Sequence, residues 1–530
     1  TNTSKHHQII RSSDQHQIRQ MLLILLVLVG VLSTLAEEQA IGFGVQRLKN
    51  YRGHNGGLKA TTTCADVDQY WFKEAVVDNF APVQEQQLWA GEGQRYWVNR
   101  KFWAGTGAPI LVYIGGEGEE SCSRLTDHMY AYQLAEQHKA LLVDVEHRFY
   151  GQSYPTPDMS TENLRFLSAD QALADLARII GHIKTSLSTP SSRIVTIGGS
   201  YPGCLSAWFR LKYPSVTAGS IASSAPLLAT TNFGAYMDVV GQSLIHFGGQ
   251  GCFDAMRAAA ESVAALALQA HPFGKVDGVN GGGFVKGSKG VAQLQQDFST
   301  CSDITSSLDM AVFMSDLMGN VQGTVQYNNE HAGTANVTDI CAVMTQSSDY
   351  YANFVELQSQ YRAAAGQQCE DASWADTVTY LSDPTKDGGN NGRPWTYQTC
   401  NEFGYYQTTD SSEQPFASWL WLSGLSFSRA ICSAAFDGWT ADPAVTWTNQ
   451  EYGALGIAGT NILFPSGSID PWHALSVTNY TQALPQPSEA AVYIEGTAHC
   501  ADLYAPANSD PASLTYARSV IAEGVAKWLA

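Results

Sequence analysis

Several chemistries are argued against by what this sequence lacks. None of its ten cysteines stands in a C-x-x-C pair, which removes the usual signature of structural zinc or thioredoxin-like redox work. No H-E-x-x-H occurs, so metal-assisted hydrolysis has no support, and no metal or cofactor is expected. Basic residues are few: 30 Lys and Arg stand against 49 Asp and Glu, a net charge of −19. A protein that tracks nucleic-acid phosphates needs a basic face, so a nucleic-acid partner is not expected. Long apolar runs are also scarce. The one at residues 22–32 is followed by Thr34-Leu35-Ala36, small at the −3 and −1 positions of a cleavage site. Residues 21–36 are too short to span a bilayer comfortably and read as a signal peptide, with no membrane anchor. Residues 1–20, ahead of Met21, read as an upstream segment foreign to the mature protein.

What is present is a chain of 530 residues, 44% hydrophobic, long enough for a large core. Ten cysteines fit an oxidising compartment, though their pairing cannot be deduced. Asn336-Val337-Thr338 and Asn479-Tyr480-Thr481 are glycosylation acceptors that a secretory chain could use at Asn336 and Asn479.

Apolar runs of strand length alternate with helical periodicity in two blocks. The first holds "APILVYIGG", "ALLVDVEHR", "SRIVTIGG" and "AGSIASSAP", with Leu173, Leu176, Ile180 and Ile183 on one face of an intervening helix. The second holds "TNILFPSGSIDPW" and "EAAVYIEGTAH", then a helix with Leu514, Ala517, Ile521, Val525 and Trp528 in register. Such alternation implies an α/β fold with a mostly parallel, doubly wound sheet. The expected organisation is a core in two parts, 65–234 and 451–530, separated by a mainly helical insertion at 235–450. The Gly-rich stretch 273–290 inside that insertion reads as a surface loop.

"VTIGGSYPGC" places Ser200 between a β-branched run and a helix, where a nucleophile elbow belongs, although Pro202 stands where G-x-S-x-G has glycine. In the first turn of a helix a proline loses little, because those N–H groups have no intrahelical partner. The Tyr201 N–H remains available as an oxyanion donor, and Gly116 in "YIGGEGEE" can present a second. Asp470 follows "NILFPSGSI" and His499 follows "AVYIEGTA", giving the chain order Ser, acid, His. His473, His147 and His128 compete for the base, but none follows a suitable C-terminal strand.

The ordered set "QRYWVN", "YIGGEGEE", "EHRFYGQSYP", "LRFLSADQALADLA", "GGSYPG", "VQYN", "WTYQTCNEFGYYQT", "IDPWHAL" and "AHCADLY" resembles the serine peptidases that comprise lysosomal Pro-X carboxypeptidase, dipeptidyl-peptidase II and thymus-specific serine protease. The "SYPG", "VQYN" and "AHCADLY" forms are most similar to the thymus-specific type. The resemblance implies an α/β-hydrolase core with a helical cap and cleavage beside proline near a chain end. It also implies Ser200 as nucleophile, Asp470 as acid and His499 as base, with Glu117 and Glu402 in substrate binding. The acidic "GEGEE" loop suits an ammonium better than a terminal carboxylate, which leans toward a dipeptidyl-peptidase over a Pro-X carboxypeptidase. An esterase, or an inactive binding protein, on the same fold is the alternative outside the peptidases. Peptides are the expected partners, and a homodimer is compatible with the sequence without being required by it.

Overall fold

The computed structural model describes residues 64–270, 287–329, 335–386, 391–419, 424–480 and 488–530. The signal-peptide reading at 21–36, the upstream segment 1–20 and nearly all of the Gly-rich stretch lie outside them.

Ten strands are described: β1 (Val67–Phe72), β2 (Gln94–Asn99), β3 (Ile110–Ile114), β4 (Leu141–Val145), β5 (Ile194–Gly199), β6 (Gly219–Ser223), β7 (Thr230–Asn232), β8 (Gly404–Tyr406), β9 (Ile462–Gly467) and β10 (Ala490–Ile494). Eight form one sheet in the order β1-β2-β4-β3-β5-β6-β9-β10, and β7 pairs with β8 apart from it. From β4 to β10 all pairings are parallel, while β2 runs antiparallel to both its neighbours. This is the α/β-hydrolase fold. Between β6 and β9 the chain is mostly helical, including Ala235–Ala267, Ser307–Gln326 and Tyr350–Ala364.

The period of two along each strand decides how the sheet is covered. Ile110, Val112 and Ile114 of β3 point into one core, with Leu173, Leu176, Ile180 and Ile183 of helix Ala169–Ser186. Leu111 and Tyr113 point into the other, with Ile521, Val525 and Trp528 of helix Ala512–Leu529. Both faces being covered, β3, β4 and β5 are buried along their whole lengths. The helix faces read from the sequence are therefore those that meet the sheet.

β1, β2 and the β7–β8 pair carry no clear signal in the sequence. All six residues of β2 are buried, so hydrophobic and polar positions do not alternate between core and solvent. Its polar side chains donate to carbonyls inside the protein: Gln94 Nε2 to Glu146 O at 2.8 Å, and Asn99 Nδ2 to Leu125 O at 2.8 Å. Arg95 forms a buried ion pair with Glu146 at 2.5 Å.

Four disulfides join Cys64 to Cys122, Cys252 to Cys341, Cys301 to Cys369 and Cys400 to Cys432. Cys204 and Cys500 are buried and take no part in these four disulfides. Among the described residues no helix is long and apolar enough to cross a membrane.

Candidate active site

The carboxyl ends of β3, β5, β6, β9 and β10 converge, which is where an open α/β sheet presents its functional side chains. Ser200 lies directly after β5 and directly before helix Tyr201–Lys212. Its backbone is at φ 63°, ψ −133°, a conformation that non-glycine residues rarely adopt. Holding it costs about 1–3 kcal/mol and requires surrounding bonds to enforce it. Those bonds are present: Ser200 N–H donates to Ser223 O at 2.9 Å, and Cys204 N–H donates to Ser200 O at 3.1 Å.

Pro202 occupies the first turn of that helix, as its missing N–H allows. Its ring is accommodated by a glycine on another loop. A Cβ on Gly116 would overlap Pro202 Cγ and stand 2.7 Å from Cδ, so the Gly116 hydrogen is what leaves room for the ring. The proline that departs from G-x-S-x-G thus packs against the loop expected to supply the second oxyanion donor. Gly115 N–H donates to Val145 O at 2.8 Å, which makes Gly116 the first amide of that loop beyond the sheet. Gly116→Ala is expected to lower kcat/KM by about 10- to 100-fold, and adding Pro202→Gly is expected to recover most of it, since contacting pairs couple by about 1–3 kcal/mol. A double-mutant cycle on peptide hydrolysis checks this, and strict additivity would contradict it.

His499 follows β10 and Asp470 follows β9. His499 Nδ1 lies 2.8 Å from Asp470 Oδ1, and both side chains are fully buried. Asp470 Oδ1 also accepts the Trp472 N–H at 3.0 Å, fixing the carboxylate at the head of the short helix Pro471–Leu475. The two loops are in intimate contact, because a Cβ on Gly467 would collide with the carbonyls of Thr497 and Ala498. The main-chain N–H of His499 donates to Gln326 O at 3.0 Å. Gln326 ends helix Ser307–Gln326, and its Oε1 accepts from Trp472 Nε1 at 3.0 Å and from the Tyr236 hydroxyl at 2.7 Å. This binds the helical region to the site. Gln326 stood in the "VQYN" run without a role assigned to it, and nothing local to that run marks it as a bridge.

The other histidines are engaged elsewhere. His147 Nδ1–H donates to Arg148 O at 2.7 Å, and its Nε2 accepts from the Tyr201 hydroxyl at 3.0 Å. Burial pushes His147 down to about 3, so it stays neutral. His473 Nδ1–H donates to Asp470 O at 2.7 Å, and His128 Nδ1 pairs with Thr126 Oγ1 at 2.8 Å.

Beside Ser200 lies a buried polar and aromatic group. The Tyr201 hydroxyl accepts from Gln398 Nε2 at 2.9 Å, while Gln398 Oε1 accepts from the Tyr150 hydroxyl at 2.6 Å. Trp395 and Phe403 rings stand 5.8 Å and 5.3 Å from that of Tyr201. Glu117 and Glu402, both buried, act electrostatically on Tyr150 and Tyr201. Glu402 has a structural task as well: both its oxygens accept the Ala169 N–H, at 3.1 and 3.3 Å, at the start of helix Ala169–Ser186. Burial pushes the Glu402 carboxyl up to about 8. The other acids of the "GEGEE" loop are held by arginines, Glu119 by Arg95 at 2.9 Å and Glu120 by Arg124 at 3.7 Å. Burial, and after it the charge of Glu120, raises the Asp144 carboxyl well above the usual range.

Of the acceptor asparagines, Asn479 is exposed, and Asn336 caps helix Val337–Met344 by accepting the Asp339 N–H at 3.0 Å.

Residues 75–521 match the family described as serine carboxypeptidase S28. The chain is 32% identical over 519 residues to the thymus-specific serine protease of Homo sapiens, covering 96% of each. It is 29% identical over 459 residues to the lysosomal Pro-X carboxypeptidase of Homo sapiens, covering 82% of this chain and 84% of that one. Among solved structures, the proline iminopeptidase of Mycobacterium smegmatis aligns with a TM-score of 0.32 at 12% identity, covering 82% of this chain and 96% of that one. The match spans most of the chain, and the chain belongs to the serine carboxypeptidase S28 family and is a serine-type peptidase.

Proposed function

We propose that the chain is an exopeptidase that removes N-terminal dipeptides ending in proline or a small residue, through an acyl-enzyme formed on Ser200. In this reading Ser200 Oγ attacks the scissile carbonyl and His499 takes its proton. Asp470 orients the imidazole and balances its charge, as the 2.8 Å contact to His499 Nδ1 supports. The N–H groups of Tyr201 and Gly116 receive the negative charge that develops on the carbonyl oxygen. His499 gives that proton to the leaving amine as the peptide C–N bond breaks and the acyl-enzyme forms. It then takes a proton from the water that attacks the ester and returns it to Ser200 Oγ as the acyl C–O bond breaks and the dipeptide leaves.

The observation that carries the choice of chain end is Glu117. It is buried on the oxyanion loop and acts electrostatically on Tyr150, Tyr201 and Cys204 around the nucleophile. Glu119 and Glu120 pair with arginines, and in this reading a carboxylate at Glu117 attracts a substrate ammonium. Glu402 contributes by fixing the helix start at Ala169 next to the same group. The aromatic wall of Tyr201, Trp395 and Phe403 suits the flat apolar ring of proline.

The names of the relatives favour a second reading, a Pro-X carboxypeptidase. One experiment separates them. On a dipeptidyl-peptidase, N-acetylation of a proline-containing test peptide abolishes cleavage and C-terminal amidation is tolerated; the reverse pattern establishes the carboxypeptidase. We place the protein in the secretory pathway, ending in a lysosome or vacuole or outside the cell. Its four disulfides support an oxidising route.

A further inference from the structure

The end of β6 joins the pieces of the active site. Ser223 O accepts the Ser200 N–H at 2.9 Å, while the Ser223 hydroxyl donates to Asp502 Oδ1 at 2.5 Å. The next residue, Ser224, accepts the Cys500 N–H on its hydroxyl at 2.9 Å and donates its own N–H to Pro465 O at 2.7 Å. Ser224 is itself at φ 47°, a turn that these bonds hold in place. Two adjacent serines thus tie together the strand end that carries Ser200, strand β9 that leads to Asp470, and the loop that carries His499.

Asp502 is the chemically unusual member of this hub. It is 1% exposed and lies three residues after His499 on the same loop. Burial pushes its carboxyl up to about 6, against the opposing pull of the Ser223 hydroxyl, Arg518 and the positive charge of His499. The last of these interactions runs both ways: an anionic Asp502 stabilises the imidazolium that forms when Ser200 gives up its proton.

We propose that Asp502 is a positioning residue for the peptidase reaction, held in place by Ser223 and supplying a second anion, besides Asp470, that supports the charged form of His499. The proposal rests on the reading of Ser200 and His499 as nucleophile and base. Every packed element contributes to the electrostatics around it. Helix Ala512–Leu529 brings Arg518, whose Nε donates to Asp502 O at 3.3 Å and whose Nη1 pairs with Asp510 at 2.6 Å. Its own loop brings His499 and Cys500, the loop after β9 brings Asp470 beyond His499, and β3 brings Tyr113 beside Cys500, with Arg124 behind it. Asp470 touches the imidazole directly. Asp502 acts through space and through the Ser223 bond, which also fixes the carbonyl that receives the Ser200 N–H.

The test is the rate of labelling by a fluorophosphonate, a serine-directed probe, measured from pH 4 to 9 on the full chain. This readout needs no peptide substrate. Labelling of the wild type and none of Ser200→Ala secures the underlying reading; an unlabelled wild type overturns that reading and this proposal with it. Asp502→Asn keeps an acceptor for the Ser223 hydroxyl and removes the charge. The acid limb of its rate profile is expected to move down by at least about half a pH unit, and the plateau to fall by about tenfold. Ser223→Ala keeps the carboxyl and removes a bond that holds it down, so the acid limb is expected to move up. A purely structural role lowers the yield of folded protein or the plateau but leaves the limb where it was. An unmoved limb in Asp502→Asn overturns the proposal, and if that variant does not fold, an unmoved limb in Ser223→Ala does so.

Discussion

Ser200→Ala is expected to lower peptide turnover by about 10⁶-fold, to the level left by binding and the oxyanion donors alone. The size follows from what a methyl group cannot do. It forms no ester, so the two-step route through an acyl-enzyme closes and the remaining path requires water to attack the peptide directly. The variant should fold, since the Ser200 contacts described in the structure are main-chain: its N–H to Ser223 O and its O to Cys204 N–H. Alanine costs no more than serine at φ 63°, so the strain is unchanged. The measurement is kcat/KM for a proline-containing peptide on purified protein, with a thermal melt to show an intact fold. Near-normal activity in that sample would remove Ser200 from the mechanism.

The legible parts of this protein were those set by local chemistry. The Ile194-Val195-Thr196-Ile197 run is β-branched and apolar because β5 is buried on both faces, and the same physics exposed β3, β4 and β9 to reading. Helix Ala169–Ser186 was legible because one side meets a core and its Ser168 N-cap is a local device. β2 was hidden for the opposite reason. Its buried polar residues donate to Glu146 and Leu125, partners no sequence window contains. The accommodation of Pro202 by Gly116 is equally non-local, since the two meet only when β3 and β5 pair side by side. The same holds for Glu402, whose place at the start of a distant helix depends on tertiary packing, and for Asp502, whose hydroxyl donor arrives from β6. Cysteine pairing was closed to sequence reasoning because Cys301 meets Cys369 across 68 residues of helices.

Asp470→Asn is expected to lower kcat by about 10³- to 10⁴-fold with little change in KM, a loss confined to the transition state. The geometry sets both the size and the split. Asp470 Oδ1 addresses His499 Nδ1 at 2.8 Å and the Trp472 N–H at 3.0 Å. An asparagine can keep its oxygen toward both donors, so the fold and the ground-state pocket survive and KM is spared. What it cannot supply is charge. His499 and Asp470 are both fully buried, so when His499 accepts the Ser200 proton, no water is at hand to solvate the imidazolium. Leaving one member of a buried ion pair uncompensated costs about 3–5 kcal/mol, which as a barrier is roughly the fold-change stated. If the amide instead turns its NH₂ toward His499, the imidazole must place its proton on Nε2, the tautomer that cannot act as base, and the loss reaches the upper end. A fall in kcat of less than about tenfold, with folded protein, would show that the negative charge supporting His499 comes chiefly from elsewhere, and Asp502 is the buried carboxylate placed to supply it.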